Sequence, residues 1–300
     1  MTILKYLDKL YYLCPQKNIL WRVIRYCVKL LTNLYVRYLM PIKCRYNPVN
    51  EDTLIISLTS FPARIKDVWM TCATLLNQDV ENIHVVLWLS REQFSMEFDS
   101  LPKKLLRLMD KGLDIRFVED DLRPHKKYFY ALKAFSENDI VTVDDDILYN
   151  PLLISTLLTC HHKHTDCVIC NRGVNLCHKS YKSWYSNKIY DEERTDIMPT
   201  GIGGVFYPAH IFDGTPIHDV DAIKSTCLYG DDLWLNFMTR FNGHKVVQTG
   251  FITGLITIFS SQKSALCKEN VGEDRNDKQI RLLSKWAEKE LGCNYYVNII

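Results

Sequence analysis

The sequence predicts an α/β fold: a doubly wound, mostly parallel sheet with helices on both faces, preceded by N-terminal amphipathic helices. Three observations predict it. From residue 54 onward short apolar runs alternate with helical stretches, the pattern of βαβ units. Polar clusters fall at the ends of those runs, where open α/β sheets bind ligands. Residues 1–46 differ in composition, carrying nine Lys/Arg against the single Asp8, a balance of +8 against −6 for the rest of the chain. With 300 residues and 47% hydrophobic content there is material for one substantial core.

In the first segment Leu20, Val23, Ile24, Cys27, Leu30, Leu31, Leu34 and Tyr38 follow helical spacing, while Arg22, Arg25, Lys29 and Arg37 take the other side. Trp21, Tyr26 and Tyr35 stand near the borders. This is a basic amphipathic helix of the kind that lies on a membrane surface; the plainer alternative packs its apolar stripe on the body, and nucleic acid is not expected as a partner. Pro41 and Pro48 bracket a linker, dividing the chain into a basic helical segment, 1–46, and a domain, 47–300. In the domain the runs 54–58, 83–89, 113–118 and 140–143 read as strands, and 63–77, 101–110, 126–135 and 152–162 as helices.

Eleven cysteines, with no cleavable leader and no glycosylation sequon, suit a reducing cytoplasm. The longest uncharged run, 246–262, is too short and too polar for the roughly 20 apolar residues that span a bilayer. The expected location is cytoplasmic, peripheral on the inner face of the plasma membrane.

The sharpest chemical feature is Asp144-Asp145-Asp146, directly after the strand IVTV. Adjacent carboxylates at a buried strand end repel one another unless a cation neutralises them, and hard oxygen ligands suit Mg²⁺ or Mn²⁺. An ion held by Asp144 and Asp146 would bridge the phosphates of a nucleotide diphosphate; an acidic turn or helix cap is the other reading. Thr59, Ser60 and Arg64 sit in a turn that opens a helix and presents donors to a nucleotide. After the third strand, Asp120 would accept from a base or ribose, and Arg123, Lys126 or Lys127 would meet phosphate; an ordinary charged loop and helix start is the other reading. Thr200, Gly201, Gly203 and Gly204 form a glycine-dense turn whose backbone can approach a substrate closely. Asp231 and Asp232 begin a helix that also carries Trp234, a candidate substrate contact; one of the two aspartates accepts a proton from an attacking hydroxyl, or merely caps the helix.

Cys160, His161, His162, His164, Cys167, Cys170, Cys177 and His178 are zinc-ligand types, but Cys167 and Cys170 lie three apart in a predicted strand and point to opposite faces. They are expected as core thiols and helix-end histidines. The tail 269–277 reads as a polar surface loop before a helix near 278–291.

Taken in order, SLTSFPARI, VVLWLS, IRFVEDDLRPHKKYFYAL, VTVDDDILY, PTGIGGVFYP and GDDLWL cover about residues 54–245. That series resembles the GT-A glycosyltransferases, of Rossmann-like fold, found in bacterial surface-polysaccharide (capsule and lipopolysaccharide) clusters. The resemblance implies metal-dependent transfer from a nucleotide-diphosphate sugar, a UDP-sugar favoured, to a lipid-linked or surface glycan, with inversion. By it Asp144 and Asp146 match the DXD positions, the former facing the donor ribose and the latter the metal, Asp145 able to substitute in either role. Asp232 matches the base of inverting members, with Asp231 its rival, although the motif reads Asp-Asp rather than Glu-Asp. His218 and His244 are candidates for a further metal ligand. A sugar nucleotidyltransferase and a non-catalytic glycan-binding module are the alternatives.

Overall fold

The computed structural model describes residues 2–15, 18–46, 48–177, 180–260 and 274–293; His178 and positions 269–273 of the expected polar loop lie outside them. The chain opens with α1 (Thr2–Leu13) and α2 (Ile19–Tyr38), the latter capped by the Asn18 side chain, which accepts from the Trp21 amide at 3.0 Å. The body follows as β1 (Leu54–Thr59), α3 (Val68–Leu76), β2 (Ile83–Ser90), α4 (Lys103–Leu106), β3 (Leu113–Val118), α5 (Lys126–Ala134), β4 (Ile140–Thr142) and β5 (Ile147–Leu148). Then come α6 (Leu153–His161), β6 (Cys167–Cys170), β7 (Gly173–Asn175), β8 (Tyr185–Ser186), β9 (Glu193–Arg194), β10 (Ile197–Pro199) and β11 (Val205–Tyr207). The last elements are α7 (Val220–Thr226), α8 (Asp231–Phe241), β12 (Lys245–Gln248), β13 (Ile256–Thr257) and α9 (Arg275–Leu291).

Eight strands form one sheet in the order β3-β2-β1-β4-β11-β6-β12-β9. The first four are mutually parallel, β11 and β9 run against their neighbours, and β6 and β12 are parallel to each other. The fold is thus α/β and doubly wound, on a mixed but mostly parallel sheet. Side-chain alternation builds a core on each face: Leu54, Ile56 and Leu58 of β1 enter one, while Ile55 enters another. Cys167 and Ile169 of β6 likewise join the first core, and Val168 and Cys170 the opposite one, so Cys167 and Cys170 do face apart.

Two helices are shorter than their sequence patterns. In the 63–77 stretch the α-helix begins only at Val68, because residues 61–67 fold into turns, with Arg64 and Ile65 both donating to the Phe61 carbonyl. In 101–110 only Lys103–Leu106 is α-helical, and the stretch ends on Gly112 at φ +97°.

The apolar stripe read along the second N-terminal helix faces outward. Leu20, Val23, Leu31 and Leu34 are 63%, 53%, 55% and 43% exposed. The inward side is mixed: Leu4, Tyr35, Val36 and Met40 enter the main core, while Asn33 donates to the Thr257 carbonyl at 3.3 Å and Arg37 pairs with Asp67 at 2.6 Å; Arg25 ties the two helices together through the Tyr11 carbonyl at 2.6 Å. Asp8 is buried, accepting from Asn150 and from the Gly254 amide at 2.8 Å each. The sequence alternative in which the apolar stripe packs on the body is therefore overturned. No helix among the described residues is long and apolar enough to cross a membrane.

The 41–46 stretch is docked as well. The buried Arg45 side chain donates to the carbonyls of Leu76 and Gln78, and its amide donates to Lys111 at 2.9 Å. A Cβ on Gly112 would stand 2.1 Å from the Arg45 carbonyl oxygen, on a left-handed backbone. Gly112→Ala should therefore lower stability by roughly 2–4 kcal/mol, combining backbone strain with overpacking, read as a reduced midpoint in urea unfolding. An unchanged midpoint would mean that the linker is not seated on the sheet edge.

Candidate active site at the carboxyl edge of the sheet

β4 delivers Asp144, Asp145 and Asp146 beyond its carboxyl end. Antiparallel β11 lies beside it with Val205 opposite Thr142, which brings the 200–204 turn alongside the aspartates. The first turns of α5 and α8 supply Lys127 and the pair Asp231 and Asp232. The Lys127 ammonium, 5% exposed, stands 2.9 Å from Asp144 Oδ1 and 2.8 Å from Asp231 Oδ2. The Gly201 amide donates to Asp232, at 3.1 Å to Oδ1 and 3.3 Å to Oδ2. A Cβ on Gly201 would meet Lys127 Nζ at 2.8 Å, Asp144 Oδ1 at 2.9 Å and Asp232 Oδ1 at 3.4 Å. One small space is thus shared by Asp144, Lys127 and Asp232, and only glycine leaves it open.

Burial works against every charge here, and the neighbours decide which survive. Burial would strip the Lys127 proton, but Asp144, Asp231 and Asp232 outweigh it and hold the ammonium well above its ordinary pKa. Burial also opposes ionisation of Asp231, yet contact with Lys127 keeps that carboxyl below its usual range. Asp232, second in the pair, is pushed up to about 8 by burial and by the charge of Asp231. The two aspartates therefore divide into an ionised partner of Lys127 and a carboxyl poised to exchange a proton near neutrality.

The other aspartates are neutralised within the protein. Arg64 pairs with Asp145 and reaches Asp146 at 3.2 Å, and the Ser60 hydroxyl donates to Asp145 at 2.6 Å. Asp145 is buried, with a carboxyl raised by desolvation, whereas the Asp144 side chain is 34% exposed. Arg64 and Lys127 thus offset part of the repulsion within the triplet. Among the described residues the three carboxylates do not converge as a three-ligand cage. The donor set still fits a hard ion held by Asp144 and Asp146 together with phosphate and water, since Mg²⁺ is usually bound by one or two carboxylates plus substrate phosphates.

The remaining candidates separate. Thr59 donates to the Trp88 carbonyl at 2.8 Å, Lys126 is buried against Asp121, and Asp120 is exposed beyond β3. Thr200 is buried and accepts from Arg172 at 2.8 Å; Gly203 packs against the Arg172 backbone, and Gly204 turns at φ +77° into β11. Trp234 is wholly buried, its indole donating to the Ile217 carbonyl at 3.0 Å and packed against Trp286, so the structure makes it a core residue with no surface for substrate. His218 and His244 each spend a ring nitrogen on a backbone carbonyl, of Phe129 and Asp166. Two grooves, of about 640 and 230 Å³, lie elsewhere, one lined by Asp219, Lys224 and Trp286 and the other by His210 and His218.

Three contributors escape the motif reading. Tyr149 Oη accepts the Asp144 amide at 2.9 Å, and Arg172 braces Thr200. His125, buried and lowered to about 4 by desolvation, is neutral. Its Nε2 donates to the Cys227 carbonyl at 2.9 Å, so Nδ1 accepts from Tyr128 at 2.8 Å, and α5 is thereby tied to the loop before α8. Only Tyr149, three residues past the triplet, had a signal in its position.

Fold and site together define a class, an α/β protein with acidic residues gathered at the carboxyl edge of a mostly parallel sheet. No protein-family model and no curated sequence matches the chain. Among solved structures, the mannosyltransferase PcManGT from Pyrobaculum calidifontis, in complex with GDP-Man and Mn²⁺, is 11% identical, covering 94% of this chain and 75% of its own, with a TM-score of 0.48. S. aureus TarS 1–349 is 12% identical over 82% of this chain and 73% of its own, with a TM-score of 0.45. An apo UDP-glucose pyrophosphorylase is 9% identical over 75% of this chain and 99% of its own, with a TM-score of 0.41. Likeness at this level carries no argument about chemistry, which rests on the geometry above.

Lys127→Met should cost about 3–5 kcal/mol at neutral pH by leaving buried carboxylates unpaired. The deficit should shrink on acidification, because Asp231, held low by Lys127 in the wild type, can then take a proton and lose its uncompensated charge. Urea unfolding at pH 5 and pH 8 measures both, and an equal loss at the two pH values would refute the electrostatic account.

Proposed function

We propose that this chain is a GT-A-type glycosyltransferase, moving a sugar from a nucleotide-diphosphate donor, a UDP-sugar favoured, to a hydroxyl of a lipid-linked or surface glycan with inversion. The observation that carries this reading is the convergence of Asp144, Lys127 and the unequal pair Asp231 and Asp232 on one space beside Gly201. Asp144 and Asp146, with the donor's diphosphate oxygens, would hold Mn²⁺ or Mg²⁺, which supplies charge stabilisation for the leaving diphosphate. Asp232 takes the proton of the acceptor hydroxyl as its oxygen bonds to the sugar carbon, and the bond from that carbon to the diphosphate oxygen breaks. Lys127 keeps Asp231 ionised, and that charge sustains the basicity of Asp232.

Calorimetric titration of UDP and GDP, with and without Mn²⁺, tests the donor site. Metal-dependent binding of one nucleotide, lost in Asp144→Ala, is expected; no binding of either would sink the reading. Pyrophosphate release in place of a nucleoside diphosphate would transfer it to sugar nucleotidyl transfer.

Asp232→Asn should lower kcat by roughly 10²–10⁴-fold, the usual worth of a general base, with nucleotide affinity retained. The wild-type kcat/KM should rise with pH and level off above about 8. The same shift has an opposite sign for stability. A folded carboxyl raised from 3.8 to about 8 binds a proton that the unfolded chain has released, so its contribution to stability falls as pH rises through that window. Asp232→Asn should remove this fall, visible as a smaller Tm loss between pH 5 and pH 8.

We further propose that the outward apolar face of α1 and α2 seats on an anionic bilayer at the cytoplasmic side, where lipid-linked acceptors are built. Support comes from the exposed Leu20, Trp21, Leu31 and Leu34, the exposed Lys5, Lys9 and Arg22, and the burial of Asp8, the segment's only acid. The chain should float with phosphatidylglycerol vesicles. Leu20→Ser/Leu31→Ser/Leu34→Ser should abolish flotation at unchanged Tm, as each leucine contributes roughly 1.5–3 kcal/mol of transfer; equal flotation would remove the membrane from the account.

A further inference from the structure

Away from the carboxyl edge, the end of α6 meets the chain between β8 and β9. Cys160 and His164, four residues apart, face the same carboxylate: Asp191 Oδ1 lies 3.9 Å from Cys160 Sγ and 3.4 Å from His164 Nε2. One ligand atom from each residue lies within 4.8 Å of the others, and among the described residues this is the grouping of three such side chains. The sequence marked Cys160 and His164 as ligand types but had no means of finding Asp191, which comes from a distant turn and is neither Cys nor His.

Two further features fit a metal. Glu193 Oε1 sits 3.1 Å from the other ring nitrogen, His164 Nδ1, and a hydrogen bond donated there would leave Nε2 to ligate an ion beside Cys160 and Asp191. Asp191 holds a left-handed backbone at φ +56°, its amide fixed by the Gln248 carbonyl at 2.9 Å, which aims the carboxylate back at α6. A cation already visits the carboxylate: Lys163 Nζ is 2.8 Å from Asp191 Oδ2, on a side chain 56% exposed that can swing into solvent. Lys245, 3.0 Å from Glu193, is the other facing charge.

We propose that Cys160, His164 and Asp191 form a zinc site with water in the fourth position. The mixed sulfur, nitrogen and oxygen donors select Zn²⁺ over the hard ions suited to Asp144 and Asp146. On binding, the Cys160 thiol releases its proton to solvent, and the thiolate and carboxylate together balance the ion's charge. Bound zinc would pin the β8–β9 chain to α6. The site is independent of the sugar-transfer reading.

The test is titration of ZnCl₂, without nucleotide, into reduced, chelator-treated full-length protein, with Co²⁺ as a spectroscopic probe. One equivalent of zinc should bind and raise Tm, and cobalt should show a thiolate charge-transfer absorption. Glu193→Gln, at an exposed position, should weaken zinc by roughly 10–100-fold. Asp191→Asn, which tolerates the left-handed backbone, should weaken it at least as much while leaving the metal-free Tm unchanged. Cys160→Ser should remove the cobalt absorption, and Asp144→Ala should bind zinc as the wild type does. Failure to bind zinc at micromolar concentration, wild-type affinity in Asp191→Asn, or loss of binding in Asp144→Ala would each overturn the proposal.

Discussion

A single buried ammonium, that of Lys127, lets carboxylates from two distant segments share one space. Asp144 arrives from β4 and Asp231 and Asp232 from α8, and without a cation between them their mutual repulsion would drive the 144 turn away from the start of α8. The surroundings follow from this requirement. Lys127 must point inward from the first turn of α5, so the Ser57 hydroxyl binds its carbonyl and His125 binds the Cys227 carbonyl near α8. Gly201 must lack a side chain, because a Cβ would fill the space that the charges need.

The inequality of Asp231 and Asp232 grows from the same contact. Both are enclosed, and only Asp231 touches the ammonium, so it takes the charge and leaves its neighbour with the proton. Arg64 has a parallel role nearby, holding Asp145 and Asp146 while Asp144 stays the most open of the three. A run of identical residues is thus resolved by its neighbours into two buried carboxylates held by Arg64 and a more open one beside Lys127.

The four parallel strands were legible because each is a short apolar run with mostly buried residues, as in 54–59 and 83–90, whereas β9, β11 and β12 were not named; helix starts such as 126 and 231 were marked by polar clusters. Local pattern failed where long-range contacts set the outcome. Residues 61–67 leave the helix to let Arg64 reach the triplet, and Trp234 reads as a motif residue although α9 buries it. The repulsion argument called for a counter-charge but had no means of naming Lys127 as part of it, since no spacing rule pairs that residue with ones seventeen and about a hundred positions away. Helical periodicity grouped the outward leucines of α2 but set Arg22 on the opposite side, where the structure exposes it, and did not mark Val28, Tyr35 and Val36 as the buried face; which side turns outward depends on partners at 67 and 253–259 that the segment itself does not encode.

The backbone at 253–258 is bordered on one side by Asp8, Lys29 and Asn33 and on the other by Asp146, whose carbonyl accepts the Ile258 amide at 2.8 Å. The two faces of the N-terminal helices therefore live under rules of different stringency. Outward positions such as Leu20 and Leu31 lie exposed, so exchanges there leave the packing of the fold alone. Inward positions combine core side chains with particular polar atoms at particular distances, and a graft supplying any other amphipathic helix would loosen the floor beneath the aspartates.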